Sequence, residues 1–557
     1  MAMRARVWWV LGIFAAVGLV GLGVRPMVQP DEPRYAIMAA EMLDTGAWTN
    51  LRMAGFHYYE KPPMGMWCIA LSLEIFGRNE FAARLPSAVA AFAMAALAGV
   101  MASRISGRRD VGLAAFAVQA TTIGPMVIGG VVTLDAMFAA WVTGSLVALH
   151  GSLSSVGAAR ARWLLMAGSC CGMAVLTKGL LGWVIPALAA GAFLMWERRW
   201  RELLWVPLPV LAQSLIVVLP AAWLIHRAEP RFWEYFITVE HLRRFSDPDS
   251  NQHREPWWWL IALLPVGGVV WSLVWWHALQ GVRSAVAWAS GARFSFAWIV
   301  APLLLLSLSA GKLPTYILPL YPAVSVLVAL GLVKAFEGGL RQSARGRVMG
   351  QVVLLIAATA VVLAIFLGTA WGGFPAQLWS TGTTVRLLAL AAALLLWAVV
   401  DRWSWRARSG TDWVLRSATA PAALLALVPF LFPDAAVRSS QIPLDALRAS
   451  ESVICDSEVV ASDHQMAHCV TWISGRRDQL VMGRAGEFDN ELGLPQDQAR
   501  LVSVAQVIER LRIGGWKSFC VVTIPSDAQV ILGAAGIAKP SHHQVRGDVV
   551  VLAWSNE

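Results

Sequence analysis

Charge is scarce in this chain. Only 14% of its 557 residues are Asp, Glu, Lys or Arg, against about 25% in an ordinary soluble domain. That scarcity excludes one large water-soluble core, as do the apolar runs of about 20 residues that recur along most of the sequence. Cysteine is scarce too: there are six, with no C-x-x-C pair and no Cys/His spacing of a zinc site. Cys68, Cys170 and Cys171 fall in or near apolar runs and read as packing residues. Cys455, Cys469 and Cys520 lie in a more polar stretch, where one disulfide at most can form and Cys455 with Cys469 is the candidate pair. Internal repeats, low-complexity tracts, RNP-type motifs and basic-aromatic stripes are all missing. The net charge of +10 therefore does not point to nucleic acid. It follows the bias that places arginine in cytoplasmic loops.

What is present is a series of hydrophobic spans. Thirteen are expected, near 7–28, 84–103, 111–129, 134–150, 162–177, 179–196, 203–225, 257–279, 294–310, 316–335, 349–370, 384–400 and 414–432. The first reads as an uncleaved helix, because its apolar run is too long for a signal peptide and no small-x-small cleavage site follows. With Arg4 and Arg6 in the cytoplasm, the arginine-bearing loops SRISGRRD, AARARW, ERRWRE and DRWSWRAR all fall on the inner side. The long loops 29–83 and 226–256 fall outside, and so does the C-terminus. Residues 1–434 thus read as a membrane domain. Within its first outer loop, PRYAIMAAEMLDTG and KPPMGMWCIALSLEIFG read as short surface helices, too short to span. Residues 435–557 alternate strand-like runs such as SVICDSEVV and DVVVLAW with helical ones, which suggests a small α/β domain outside the membrane.

Ionisable residues collect at the outer ends of the spans. They are Asp31, Glu32 and Arg34 in QPDEPRYA, Glu60 and Lys61 in YYEKPP, Asp135 in TLDAMF, Lys178 in VLTKG, and Glu240, His241, Arg243 and Arg244 in VEHLRRF. GKLPTYILPLYPA adds Lys312, Tyr316 and Tyr321. Each also has a plain structural reading. Asp31 can cap a helix, Asp135 can accept hydrogen bonds from a neighbour, and Lys178 or the paired arginines can meet lipid headgroups. Their collection on one face favours an active site, since charge near a bilayer is costly and normally lines a cavity. Arg34, Lys61, Lys178 and Arg244 suit a phosphate or pyrophosphate. Glu60 with His241 offers one oxygen and one nitrogen to a divalent metal, though a Glu60–lysine or Glu60–arginine pair serves as well. The prolines after Lys61 stop a helix from running through YYEK, and Tyr58 and Tyr59 also suit an interface.

DEPRYA, YYEKPP, FAARLPSA, LDAMF, LTKG, EHLRRF and KLPTYILPLYP, in that order over residues 1–335, resemble the lipid A aminoarabinose transferases. VMGRAGEFDNELGLP is similar to a segment near that family's end. These are polyprenyl-phosphate-dependent enzymes of the GT-C superfamily, relatives of the protein O-mannosyltransferases. The resemblance implies a polytopic GT-C fold of about thirteen transmembrane helices with a periplasmic α/β domain, in the bacterial inner membrane, acting as a monomer. It implies transfer of 4-amino-4-deoxy-L-arabinose from undecaprenyl phosphate to lipid A phosphates by an inverting reaction. Asp31, Asp135 and Lys61 would be catalytic. Arg34, Tyr35, Tyr58, Tyr59, Lys178, Arg243 or Arg244, and Tyr321 would bind substrate. Glu60 and His241 would hold a metal, zinc being expected. A related transferase moving another sugar to lipid A or to protein Ser/Thr is the nearest alternative. A lipid or solute transporter is the alternative of another class, but it would show repeats and charges near the midplane.

Overall fold

The computed structural model describes residues 2–243, 254–272, 274–283, 290–309, 311–338, 382–431, 443–483, 488 and 494–555. The expected span at 349–370, and Arg244 with it, lie outside these residues.

Seven helices among the described residues are long and apolar enough to cross a membrane. They are Glu80–Ser106, Leu134–Leu153, Trp200–Ala228, Ser290–Leu308, Pro314–Glu337, Thr384–Ser404 and Gly410–Leu431, each at a span expected from the sequence. Other expected spans are interrupted. Arg109–Ala120 and Ile123–Gly129 bend by 65° at a short break, and the run near 257–279 is divided into Trp259–Gly267, Val269–Ser272 and Trp275–Arg283. Gly-Gly and Pro-Val-Gly sequences in that run explain why it does not continue as one helix.

Small residues set the packing. Glu80–Ser106 starts at Asn79, whose side chain accepts from the Ala82 amide at 2.8 Å, and ends at Gly107 in the left-handed region. Its Gly99 lies so close to Gly112 that a Cβ there would meet the Gly112 carbonyl at 3.0 Å. In lipid, where apolar burial drives little helix association, such close approach is what holds helices together. Leu134–Leu153 is the central helix, buried along most of its length, whereas Thr384–Ser404 stands at the edge with most of its surface outward.

Both short helices expected between the first two spans are present, at Asp31–Thr45 and Met64–Phe76. The second begins directly after Pro62-Pro63. Between them a hairpin pairs β1 (Arg52–Met53) with β2 (Phe56–His57) through Ala54 and Gly55, both at positive φ, as a two-residue turn requires.

The C-terminal region forms a six-stranded sheet of β3 (Val459–Asp463), β4 (Leu480–Met482), β5 (Leu501–Val502), β6 (Ser518–Thr523), β7 (His542–Arg546) and β8 (Val549–Ser555), in the order β5-β4-β3-β6-β8-β7. The first three pairings are parallel and the last two antiparallel. This unit sits on the loop hairpin. Arg500 lies 4.0 Å over the Phe56 ring and donates to the Ala54 carbonyl at 2.8 Å, and His57 Nδ1 is 3.0 Å from Asp497 Oδ2. The candidate Cys455–Cys469 disulfide is not formed. Both are free thiols on separate helices, Cys469 buried in the core on Ala467–Ser474 and Cys455 exposed on Glu451–Asp456.

Candidate active site

The two acidic residues of DEPRYA diverge at the start of one helix. Glu32 turns inward and is fully buried. It is gripped by Arg84 at 2.7 and 3.1 Å and by Arg25 at 2.6 and 3.2 Å, and it accepts from the Val28 and Val132 amides. Burial alone would raise its carboxyl, but the two guanidiniums outweigh that and hold it at about 2. Arg84 also donates to the carbonyls of Leu22, Arg25 and Pro26. Glu32 thus fixes the first span, the Asp31–Thr45 helix and the Glu80–Ser106 helix to one another.

Asp31 turns outward. Its side chain is 60% exposed, and it pairs with Arg34 one turn on, whose side chain is 10% exposed. Arg34 also lies 3.2 Å from the Tyr35 hydroxyl. Burial pushes that hydroxyl well above its usual range, with the nearby charges of Asp31, Asp135 and Glu60 adding to the effect and Arg34 opposing it.

Two further ion pairs border this one. Lys61 pairs with Glu240, joining the YYEK segment to the Tyr235–Arg243 helix of the second loop. Lys178, the last residue of its helix, pairs with Asp135 in the first turn of the central helix. Asp135 also accepts from the Thr133 hydroxyl at 2.9 Å, and the Lys178 ammonium lies 5.2 Å from the Tyr316 ring centroid. The Glu240 charge reaches Lys178 as well. Asp31, Arg34, Tyr35, Glu60, Lys61, Asp135 and Lys178 therefore form one cluster, completed by Glu240 and Tyr316. The sequence reading missed Glu240 as the partner of Lys61. Its only signal was a carboxylate beside His241 in VEHLRRF.

Tyr58 borders this cluster, and other expected residues stand apart. Tyr58 is buried, with its hydroxyl 3.5 Å from Glu60. Tyr59 packs against Phe232, Tyr235 and His57, and its hydroxyl has no hydrogen-bond partner among the described residues. Tyr58, Tyr59 and Lys61 are thus buried, Tyr59 and Lys61 against the second loop, rather than placed at the water interface as expected. Tyr321 donates to the Leu264 carbonyl at 3.2 Å and packs between helices. The side chains of His241 and Arg243 lie outside what is described. Among the described residues no three His, Cys, Asp or Glu groups converge as a metal site. Glu60 alone does not make one.

Three cations gathered beside an open carboxylate are suited to a phosphate-bearing donor. The architecture matches solved structures with the same layout. The crystal structure of ArnT from Cupriavidus metallidurans in the apo state aligns with a TM-score of 0.82 at 22% identity, covering 99% of this chain and 98% of that one. The structure of the same protein bound to undecaprenyl phosphate aligns at 0.81. The fold is therefore that of ArnT. The family model for dolichyl-phosphate-mannose-protein mannosyltransferases matches residues 6–236. The undecaprenyl phosphate-alpha-4-amino-4-deoxy-L-arabinose arabinosyl transferase of Erwinia tasmaniensis is 31% identical over 98% of both chains. The enzyme of that name from Pseudomonas aeruginosa is 33% identical over 90% of both. The chain belongs to this family of aminoarabinose transferases.

Proposed function

We propose that the protein transfers 4-amino-4-deoxy-L-arabinose from undecaprenyl phosphate to a phosphate of lipid A, at the periplasmic face of the bacterial inner membrane. The observation that carries this reading is the convergence of Arg34, Lys61 and Lys178 beside an exposed Asp31. The leaving group of such a donor is a lipid phosphate. Cations already held in place by Asp31, Glu240 and Asp135 stabilise the charge that develops on it without reorganising. Both Asp135 oxygens are engaged, by Lys178 and Thr133, so Asp135 positions Lys178 rather than moving a proton.

Asp31 is the carboxylate open to substrate. A phosphate acceptor is already an anion, so Asp31 orients it or the sugar amine. An acceptor hydroxyl would instead require Asp31 as general base, a role worth about 10²–10⁴-fold. Direct displacement predicts inversion at the anomeric carbon. In this reading the protein acts as a monomer. The arginine-bearing loops support the periplasmic placement of the cluster. Zinc at Glu60 and His241 enters no step of this reading. Elemental analysis of the purified chain tests it: one zinc per chain supports the site and none removes it.

Transfer is tested with the purified chain in nanodiscs, synthetic undecaprenyl phosphate-linked aminoarabinose and lipid A. Lipid A heavier by one pentosamine should appear together with free undecaprenyl phosphate, and Asp31→Asn should produce neither. Full activity of Asp31→Asn would sink its assignment. Donor turnover without modified lipid A would move the acceptor to another class.

A further inference from the structure

Away from the charged cluster, a cavity of about 330 Å³ lies between the C-terminal half of the Asp31–Thr45 helix and the Ala467–Ser474 helix of the C-terminal unit. Ile37, Ala40, Glu41 and Trp472 line its walls, with Arg78 and Arg477 at its rim. Both guanidiniums converge on Asp44: Arg477 donates to Oδ2 at 2.6 Å, and Arg78 pairs with Oδ1. All three side chains are open to solvent, at 46% for Arg78, 34% for Arg477 and 30% for Asp44. Glu41 is buried and accepts from the Gly55 amide at 3.2 Å. Burial raises its carboxyl above the usual range. Two guanidiniums thus face one exposed carboxylate, a rim that can bridge a phosphate. The half-buried Trp472 indole beside them offers a flat face to a sugar ring.

The setting narrows the ligand further. Arg78 follows directly on the Met64–Phe76 helix, whose Leu71, Ile75 and Phe76 are 62%, 63% and 50% exposed. That is an apolar strip of the kind that beds in a membrane surface, so the rim stands at headgroup level. Asp31 and Asp44 lie near opposite ends of one 15-residue helix, about 20 Å apart at the α-helical rise. A ligand that reaches from this cleft towards the reacting cluster therefore needs a long head with separated polar groups.

We propose that this cleft anchors the acceptor: it takes a phosphate-bearing saccharide head of a glycolipid whose acyl chains lie along Leu71, Ile75 and Phe76, while the other end of that head reaches Asp31. The proposal rests on the transferase reading above and adds a second point of recognition to it.

The test uses the full chain in phosphatidylcholine nanodiscs, with fluorescent lipid A as probe. Binding is compared for wild type, the double variant Arg78→Gln/Arg477→Gln, and Trp472→Ala. Lipid A binding should weaken by about tenfold or more in the double variant, as loss of charge-assisted hydrogen bonds predicts. Undecaprenyl phosphate binding should stay at the wild-type level. In the transfer assay KM for lipid A should rise with kcat retained. Unchanged lipid A binding would overturn the proposal. So would equal loss of undecaprenyl phosphate binding, which marks a structural role, or displacement of lipid A by an equal amount of phosphatidylglycerol, which marks a general phospholipid site. Lipid A binding that depends on the two arginines without any transfer would leave the cleft standing and strike the transferase reading instead.

Discussion

Replacing Arg84 by Met should destabilise the end of the membrane domain that carries the charged cluster. Arg84 and Glu32 are both 0% exposed, and Met keeps most of the arginine's apolar bulk while removing all its donors. The change leaves Glu32 with Arg25 as its remaining cation and strips the Leu22, Arg25 and Pro26 carbonyls of the bonds at 2.5, 2.8 and 3.0 Å. Breaking one side of a buried ion pair costs about 3–5 kcal/mol. The Glu32 carboxyl gives a second measure. It falls from an ordinary 4.5 to about 2 on folding, which corresponds to about 3 kcal/mol. Because the folded value is the lower one, that contribution is complete above pH 4.5 and fades as pH falls towards 2. Arg25 shares the carboxylate, so the lower end of the range is expected for Arg84→Met. The assay is the folded fraction after graded heating in detergent, read by size exclusion. Glu32→Met/Arg84→Met should recover part of the loss, since the buried Glu32–Arg84 pair is removed whole, while Arg25 loses its carboxylate but keeps its bond to the Gly130 carbonyl. A single variant as heat-stable as wild type would refute the reasoning, as would a double variant worse than the two single losses combined.

Other expectations concern the site and the C-terminal unit. Lys178→Met should lower kcat/KM by about 10²–10³-fold, the scale of losing one preorganised charge donor. Asp135→Asn should cost less, because Lys178 keeps its charge and loses only its anchor. His57→Ala removes the contact to Asp497 at 3.0 Å and should make the C-terminal unit more open to limited proteolysis, at a cost of about 1–3 kcal/mol. His468 is buried against Met53 and Phe488, and burial lowers it from 6.5 to about 3. It must stay neutral in the folded protein, so stability should fall with acidification below pH 6.5 by up to about 1.4 kcal/mol per pH unit. His468→Phe should flatten that slope in thermal melts taken between pH 7 and pH 5.

Hydropathy located seven of the spans because a membrane helix needs a length of apolar sequence that little else produces. It failed where Gly and Pro cut an apolar run, as in the residues after Trp259. The members of the cluster were legible because ionisable residues at span ends are rare, but their partners were not. Lys61 and Glu240 are 179 positions apart, and no periodicity links them. Glu32 and Asp31 looked alike in DEPRYA, and only the fold shows that one is a buried structural anchor and the other an open carboxylate. Tyr59 and Tyr321 looked like site residues for the same reason that they pack well: a tyrosine near an interface suits both roles.

The central claim is most directly tested in the host. Lipid A from a deletion strain is compared by mass spectrometry with that from strains complemented by wild type or Asp31→Asn, under conditions where lipid A is normally modified. A pentosamine-sized addition on the phosphates should vanish on deletion and return only with wild type. Lipid A that keeps this addition without the gene, or that returns to its modified form with Asp31→Asn, would contradict the account.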